Sequence, residues 1–293
     1  MTAINTFLLP RISVIGMGLI GGSLAGALMQ ARVCGEIVGC DSRKDCLDEA
    51  LRLGVIDRAE VDVTAAIRDA DAVVVAAPVG AMAALFDLLA RYIEPKTVVT
   101  DVGSTKRSVV DAVRRAFGGF PKNFVPGHPL AGGEKSGVGH SQAEMFRGRR
   151  VILTPLPNTG RQAVELVRKM WQCVGADVFE MEVDQHDEIL GAVSHLPHIL
   201  AYLLVDILAS SNRHDEIFGY AAGGFRDFTR IASSDPGLWC DISLANRDVL
   251  VGMLGHYGEA LDRLAKAIGD GNRGAIEAVF SRAKTVRDQK VLS

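Results

Sequence analysis

The sequence predicts an α/β chain: a mostly parallel sheet domain over residues 1–183, followed by an all-α domain over residues 184–293. Three observations predict it. Short Val/Ile-rich runs alternate with helical patterns through the first 180 residues, the signature of strands joined by crossover helices. Runs such as Ala-Val-Val-Val-Ala-Ala at 72–77 are apolar at every position, as strands covered on both faces are. Beyond Val183 the strand signal stops and long apolar helical periodicities replace it.

Strands are expected at 12–15, 36–40, 72–76, 97–100, 124–126, 151–154 and 177–180. Helices fall between them; in 161–172, Val164, Val167 and Trp171 share one face. Residues 186–209 are expected to form one long helix kinked at Pro197. Residues 244–268 place Leu250, Leu254, Tyr257, Leu261, Leu264 and Ile268 three or four apart, a second long amphipathic helix, and the stretch 275–289 is expected to be helical too. These helices carry more apolar surface than one small domain can bury, so a homodimer through this region is expected.

Composition excludes several functions. A net charge of −3, with basic residues scattered among acidic ones, argues against tracking a nucleic-acid backbone. The five cysteines form no CxxC pair, so neither a disulfide framework nor a zinc site is expected and no metal is called for. A reducing, cytoplasmic setting is the expectation. The first strand begins by about Arg11 with no signal-like leader, and the longest apolar stretch, 198–209, is short for a bilayer, so no membrane association is expected.

Gly16, Gly18 and Gly21 stand in GxGxxG spacing between a strand and a helix. The first permits a tight turn, the second lets backbone approach a pyrophosphate, and the third allows helix to pack on strand. The helix N-terminus then offers free N–H groups to the anion. Asp41 ends the next strand 20 residues past Gly21, where an acid binds ribose hydroxyls. The sheet domain is therefore Rossmann-type. Expected cofactor contacts are Gly16, Gly18, Leu19, Ile20, Gly21, Asp41, Ser42, Arg43, Pro78 and Ser104. Asp41 would repel a 2′-phosphate and favours NAD; Arg43 and Lys44 keep NADP as the alternative.

Ligands of open parallel sheets sit beyond the strands' carboxyl ends. Three such ends here are polar and glycine-bearing: 78–80, 101–104 and 127–129. Removing a hydride from a C–OH carbon requires a base for the hydroxyl proton, and a histidine suits that task near neutrality. His128 heads the glycine-dense stretch 127–137, and Ser104 could orient the same oxygen; the plainer alternative is that His128 closes a loop stiffened by Pro129. In the helical part, His195 and His198 lie three apart, either as half-buried residues beside the kink or as ligand contacts. The stretch 223–239 mixes arginines, acids and aromatics. It is either a capped surface, with Asp235 or Ser234 as N-cap, or an anion clamp in which Arg230 or Arg226 binds a carboxylate, Asp227 orients it and Trp239 forms a wall.

The segments VIGMGLIGGS, TDVGSTK, GHPLAGGEKSG, VILTP, SHLPH and GGFRDFTRIASSDPGLW occur in an order that resembles the prephenate/arogenate (cyclohexadienyl) dehydrogenases of tyrosine biosynthesis, from about residue 11 to 260. The resemblance implies oxidation at ring C4 of prephenate, loss of the ring carboxylate as CO2 and aromatisation. It implies that His128 is the base and Ser104 its helper on the ring hydroxyl. Arg230 corresponds to the arginine that binds the substrate carboxylate, His198 to the histidine near the side chain, and His195 to its neighbour in the motif. Glu134 and Asp227 correspond to acids networked with that arginine, and Trp239 to an aromatic wall. Prephenate with NAD is the expected pairing; an arogenate-preferring or dual-specificity enzyme, with NADP as its cofactor, is the alternative. Neither a chorismate mutase segment nor an appended regulatory domain is expected. A β-hydroxyacid dehydrogenase or imine reductase would lack GHPxAG and SHLPH, and a nucleotide-sensing protein would lack the full set of base, hydroxyl and anion binders.

Overall fold

Residues Ile12–Ile15 are buried without exception, and the strands beside them repeat the pattern. The structure, a computed structural model, describes residues 8–290, so the outer limits of the two expected domains lie outside the described residues. In chain order come β1 (Leu9–Ile15), α1 (Leu19–Ala31), β2 (Cys34–Cys40), α2 (Lys44–Arg52), β3 (Arg58–Glu60) and α3 (Val63–Ala66). They are followed by β4 (Ala72–Val75), α4 (Val79–Tyr92), β5 (Val98–Asp101), α5 (Arg107–Phe117), β6 (Phe124–Val125) and β7 (Gly127–Pro129). Next are β8 (Arg150–Leu153), α6 (Arg161–Cys173), β9 (Asp177–Glu180), α7 (Val183–Leu190) and α8 (Leu196–Ala209). The remainder is helical: α9 (His214–Gly219), α10 (Gly223–Thr229), α11 (Pro236–Ala245), α12 (Arg247–Gly269) and α13 (Arg273–Lys290).

Six strands pair in parallel in the order β3-β2-β1-β4-β5-β6, the doubly wound order of dinucleotide-binding sheets. Alternate residues face opposite layers. Val14 and Val74 join one buried cluster, under α1 and α6, while Val73 and Val75 join the other, with Phe86 of α4 and Val113 of α5. A second sheet, β7-β8-β9, contains the one antiparallel pairing among the described strands, β7 with β8. Sequence periodicity missed β3 and β7: each has three residues, and β7 is Gly-His-Pro. Strands that short carry no usable alternation.

Two units can be distinguished, one running to Asn246 and one from Arg247. The second is the α12–α13 pair, with Val251, Leu261, Ile268, Val279, Phe280 and Val286 exposed.

The expected kink at Pro197 is displaced. Gly191–His195 form a π turn between α7 and α8, and the Leu196 N–H donates to the Gly191 carbonyl five residues back. Pro197 has no N–H for the Val193 carbonyl and its ring crowds that turn, and the helix widens in the turn just before it.

Gly16 has φ +101°, and a Cβ there would lie 2.6 Å from the Ala76 carbonyl oxygen; a Cβ on Gly21 would lie 2.0 Å from the Gly16 carbonyl oxygen. Helix α1 can thus seat on β1 only through hydrogen at position 21. Gly21→Ala should destabilise the chain by roughly 1–3 kcal/mol, the usual cost of overpacking, as read from urea unfolding midpoints. An unchanged midpoint would show that α1 can slide away without loss.

Candidate active site

The base candidate is held by a buried ion pair. At the end of β5, Asp101 is contacted by the Lys106 ammonium, and both side chains are fully buried. Asp101 also accepts hydrogen bonds from the Gly103 N–H (2.8 Å) and Gly127 N–H (3.2 Å), while Lys106 Nζ donates to the Gly127 carbonyl at 2.6 Å. Residue 127 is therefore gripped at both polar atoms, which fixes where His128 begins. Burial lowers the Lys106 pKa, and Asp101 opposes the shift.

His128 lies on β7, 8% exposed, with Nδ1 2.9 Å from Nε2 of His186 on α7. His186 Nδ1 is in turn 2.8 Å from Asp187 Oδ1. The Asp187 carboxylate accepts the backbone N–H groups of Lys106 (2.7 Å) and Arg107 (2.9 Å) at the start of α5. Asn246 donates from Nδ2 to the Asp187 carbonyl at 2.9 Å; the same amide nitrogen lies 3.1 Å from His195 Nδ1. A carbonyl only accepts, so that bond identifies the NH2 group and makes His195 Nδ1 the acceptor of its second hydrogen. The N–H of His195 then belongs to Nε2, a buried atom without a hydrogen-bond partner although the Ser104 backbone adjoins the ring. Ser104 itself is half-buried.

His198 is stacked on Trp239 at 3.5 Å between ring centroids, and His195 meets the same indole edge-on at 6.1 Å. Asp235 is the N-cap of α11, accepting from the Leu238 N–H, with Pro236 in the first turn; this presents Trp239 to the histidines. Arg230 and Glu134 form an ion pair, both partly exposed, so the loop that continues from His128 reaches the arginine. Arg230 rather than Arg226 makes this contact. Asp227 does not join: it is exposed on α10 and forms no ion pair among the described residues. The expected Arg230–Asp227 network is therefore reduced to Arg230–Glu134.

The nucleotide residues are arranged for a dinucleotide. Gly18 is the N-cap of α1 with no side chain closing the helix end, and a Cβ there would meet nothing within 4 Å, so the site is open to an approaching group. Asp41 accepts from the Met17 N–H (2.8 Å) and the Arg43 N–H (2.9 Å), which holds the carboxylate beside the glycine turn with lone pairs to spare for hydroxyls. Ser42 and Arg43 are exposed; Arg43 Nε is 3.8 Å from Asp41. Pro78 is the exposed N-cap of α4. Leu19 and Ile20 open α1 half-buried, and Leu19 lines a groove together with Leu130–Lys135, the loop that bears Glu134. These residues fit NAD. Among the described residues no cluster of metal-binding side chains occurs.

Residue patterns missed His186, Asp187, Asn246 and Lys106. The available signals were a His-Asp pair in the first helix after the last strand and an unused lysine in TDVGSTK.

A doubly wound sheet with an open glycine turn, together with a buried histidine cluster and an aromatic wall, defines a dinucleotide-linked oxidoreductase. Comparison with known proteins makes this specific. Residues 24–180 match the family described as prephenate dehydrogenase, nucleotide-binding domain, and residues 182–282 match prephenate dehydrogenase, dimerization domain. The chain is 36% identical to a prephenate dehydrogenase of Bacillus subtilis, over 94% of this chain and 75% of that one. It is 35% identical to a cyclohexadienyl dehydrogenase of Zymomonas mobilis, over 88% of each. Its structure resembles that of Aquifex aeolicus prephenate dehydrogenase in complex with hydroxyphenyl propionate and NAD+, with a TM-score of 0.87 and 34% identity over 95% of this chain and 97% of that one. The chain belongs to the prephenate dehydrogenase family.

Burial lowers the pKa of His128 well below its ordinary value, with the neighbouring His186, Lys106 and His195 adding to the effect. It also lowers that of His186, against the pull of Asp187, and brings His195 to about 4. All three are neutral in the fold at pH 7. Below about pH 6.5 an unfolded histidine binds a proton that the folded one refuses, so stability falls with pH through that window. The loss should approach roughly 1.4 kcal/mol per pH unit for each excluded histidine. Urea unfolding at pH 7 and pH 5 checks this; equal stability would mean that the cluster is charged inside the protein.

Proposed function

We propose that this chain catalyses oxidative decarboxylation of prephenate to 4-hydroxyphenylpyruvate, with NAD as hydride acceptor. The observation that carries the reading is a buried histidine, His128, at the head of a loop whose Glu134 pairs with the cation Arg230. Those groups suit the two demands of the substrate: a ring hydroxyl whose proton must leave, and carboxylates that need a cation. His128 takes the hydroxyl proton and Ser104 orients that oxygen. Arg230 exchanges Glu134 for a substrate carboxylate, and His198 with Trp239, which His195 meets edge-on, forms the wall. Asp227 contributes negative potential at the rim. NAD, when bound on Gly16, Gly18, Leu19, Ile20, Gly21, Asp41, Ser42, Arg43 and Pro78, supplies the acceptor for the hydride released at ring C4. Once C4 is a ketone, loss of CO2 sends electrons into the ring and restores aromaticity.

Functionally, the division near residue 183 separates nucleotide binding from substrate binding and dimerisation; the two family matches, meeting near 181, support it. Helix residues Val183–Ala209 are long and apolar enough to cross a membrane by length and composition. They also carry His186, Asp187, His195 and His198, so we assign their exposed Val193, Leu203 and Ile207 to a partner subunit of a homodimer. The free cysteines suit a reducing cytoplasm. Sedimentation at micromolar concentration should return the mass of two chains; a monomer would remove the dimer from this reading.

Steady-state assays that follow reduced nicotinamide should give the highest kcat/KM with prephenate and NAD. Superior values with arogenate, as for a cyclohexadienyl dehydrogenase, or with NADP, would replace that pairing. His128→Asn should lower kcat by about 10²–10⁴-fold with KM for prephenate nearly unchanged, the usual contribution of a general base. Wild-type turnover would take His128 out of the reaction.

A further inference from the structure

Behind His128 stands a pair of residues with no part in the reading above. Asp187 accepts hydrogen bonds from the Lys106 and Arg107 backbone N–H groups and lies 2.8 Å from His186 Nδ1. An ionised carboxylate has only acceptors, so the hydrogen of that contact belongs to His186 Nδ1. A neutral imidazole carries a single N–H, which leaves His186 Nε2 as an acceptor. That nitrogen is 2.9 Å from His128 Nδ1, so His128 must donate from Nδ1. The opposite assignment would press two lone pairs together between residues that are 0% and 8% exposed. One nitrogen remains, His128 Nε2. It makes no hydrogen bond among the described residues and, unlike His195 Nε2, is not sealed from the surface.

We propose that His186 and Asp187 are positioning residues that lock His128 in the Nδ1–H tautomer, leaving Nε2 as the lone-pair acceptor for the substrate hydroxyl proton. The proposal rests on His128 being the base. It resembles in logic the carboxylate that orients the histidine of a serine hydrolase, but with a second imidazole inserted between them. When His128 becomes an imidazolium, its Nδ1–H bond to His186 strengthens, and the charge is felt by a carboxylate seated on the N-terminus of α5, where the helix dipole holds it. No second proton needs to move.

The overall balance makes a transient acceptor sufficient. A prephenate dianion and NAD+ give a 4-hydroxyphenylpyruvate monoanion, CO2 and NADH, with no net proton. The hydroxyl proton is taken at Nε2 as the C4–H hydride departs and the C4=O bond forms. The C1–carboxylate bond then breaks, its electrons reach the C4 oxygen as phenolate, and Nε2 returns the proton.

The test is the tautomer itself, read by 15N–1H correlation spectra of the full-length, histidine-labelled chain at neutral pH, with His128→Asn assigning the signal. The expected result is a protonated Nδ1 and a bare Nε2 on His128, against the Nε2–H form that free histidine favours. His186→Leu should release the lock: His128 turns to mixed tautomers and kcat falls on the order of 10²-fold, with KM for prephenate unchanged. His186→Gln, whose amide oxygen can accept the Nδ1–H, should recover roughly tenfold of that loss. An Nε2–H tautomer in the wild-type chain overturns the proposal even if His186→Leu fails to fold, as does wild-type kcat in a folded His186→Leu. If His128→Asn is inactive while His186→Leu is not, the lock fails and the base stands. If His128→Asn turns over normally, the base reading itself fails.

Discussion

The site depends on one buried carboxylate. Every polar atom of Asp187 beyond its own N–H is committed: its oxygens cap the start of α5, one of them also receives His186, and its carbonyl receives Asn246. Burial works to raise its pKa, yet the hydrogen bonds from His186 and from the backbone of Lys106 and Arg107 bring it below the ordinary value. An ionised group at that point fixes the hydrogen positions of its neighbours, because every contact to it must be a donor. The orientation of His186, and with it that of His128, is a consequence of this constraint. Asn246 carries the same junction across to His195.

The Asp101–Lys106 pair serves the same strand end from the other side. Taken alone, a buried ion pair is weak evidence for stability, since desolvation offsets attraction. Here its value is positional. Lys106 contributes its backbone N–H to Asp187 and its ammonium to Asp101 and Gly127, so a single residue ties β5, the start of α5, β7 and α7 together.

The π turn before α8 acts on the same cluster. Its extra residue rotates α8 by on the order of 100° relative to an unbroken helix. One continuous segment thereby turns His186 and Asp187 toward β7 and α5, and His195 and His198 toward Trp239. The apolar residues left over on α8, and separately on α12 and α13, face outward in a single chain. The family segment that matches this region is described as a dimerization domain.

Local patterning determined a good deal. Short Val/Ile-rich runs located β1, β4 and β5, because a strand covered on both faces leaves little other composition. Glycine spacing located the nucleotide turn, because only hydrogen fits at positions 16 and 21. The order of the motifs located His128, His195, His198, Arg230, Glu134 and Trp239. What only the tertiary structure decided was which atoms of those residues face one another. His128 and His186 are 58 positions apart, Lys106 and Asp187 are 81 apart, and Asp227 turns to solvent although Arg230, three residues on, does not lose its partner. Hydrogen-bond direction and tautomer depend on donors and acceptors brought together by folding. No spacing rule along the chain encodes them.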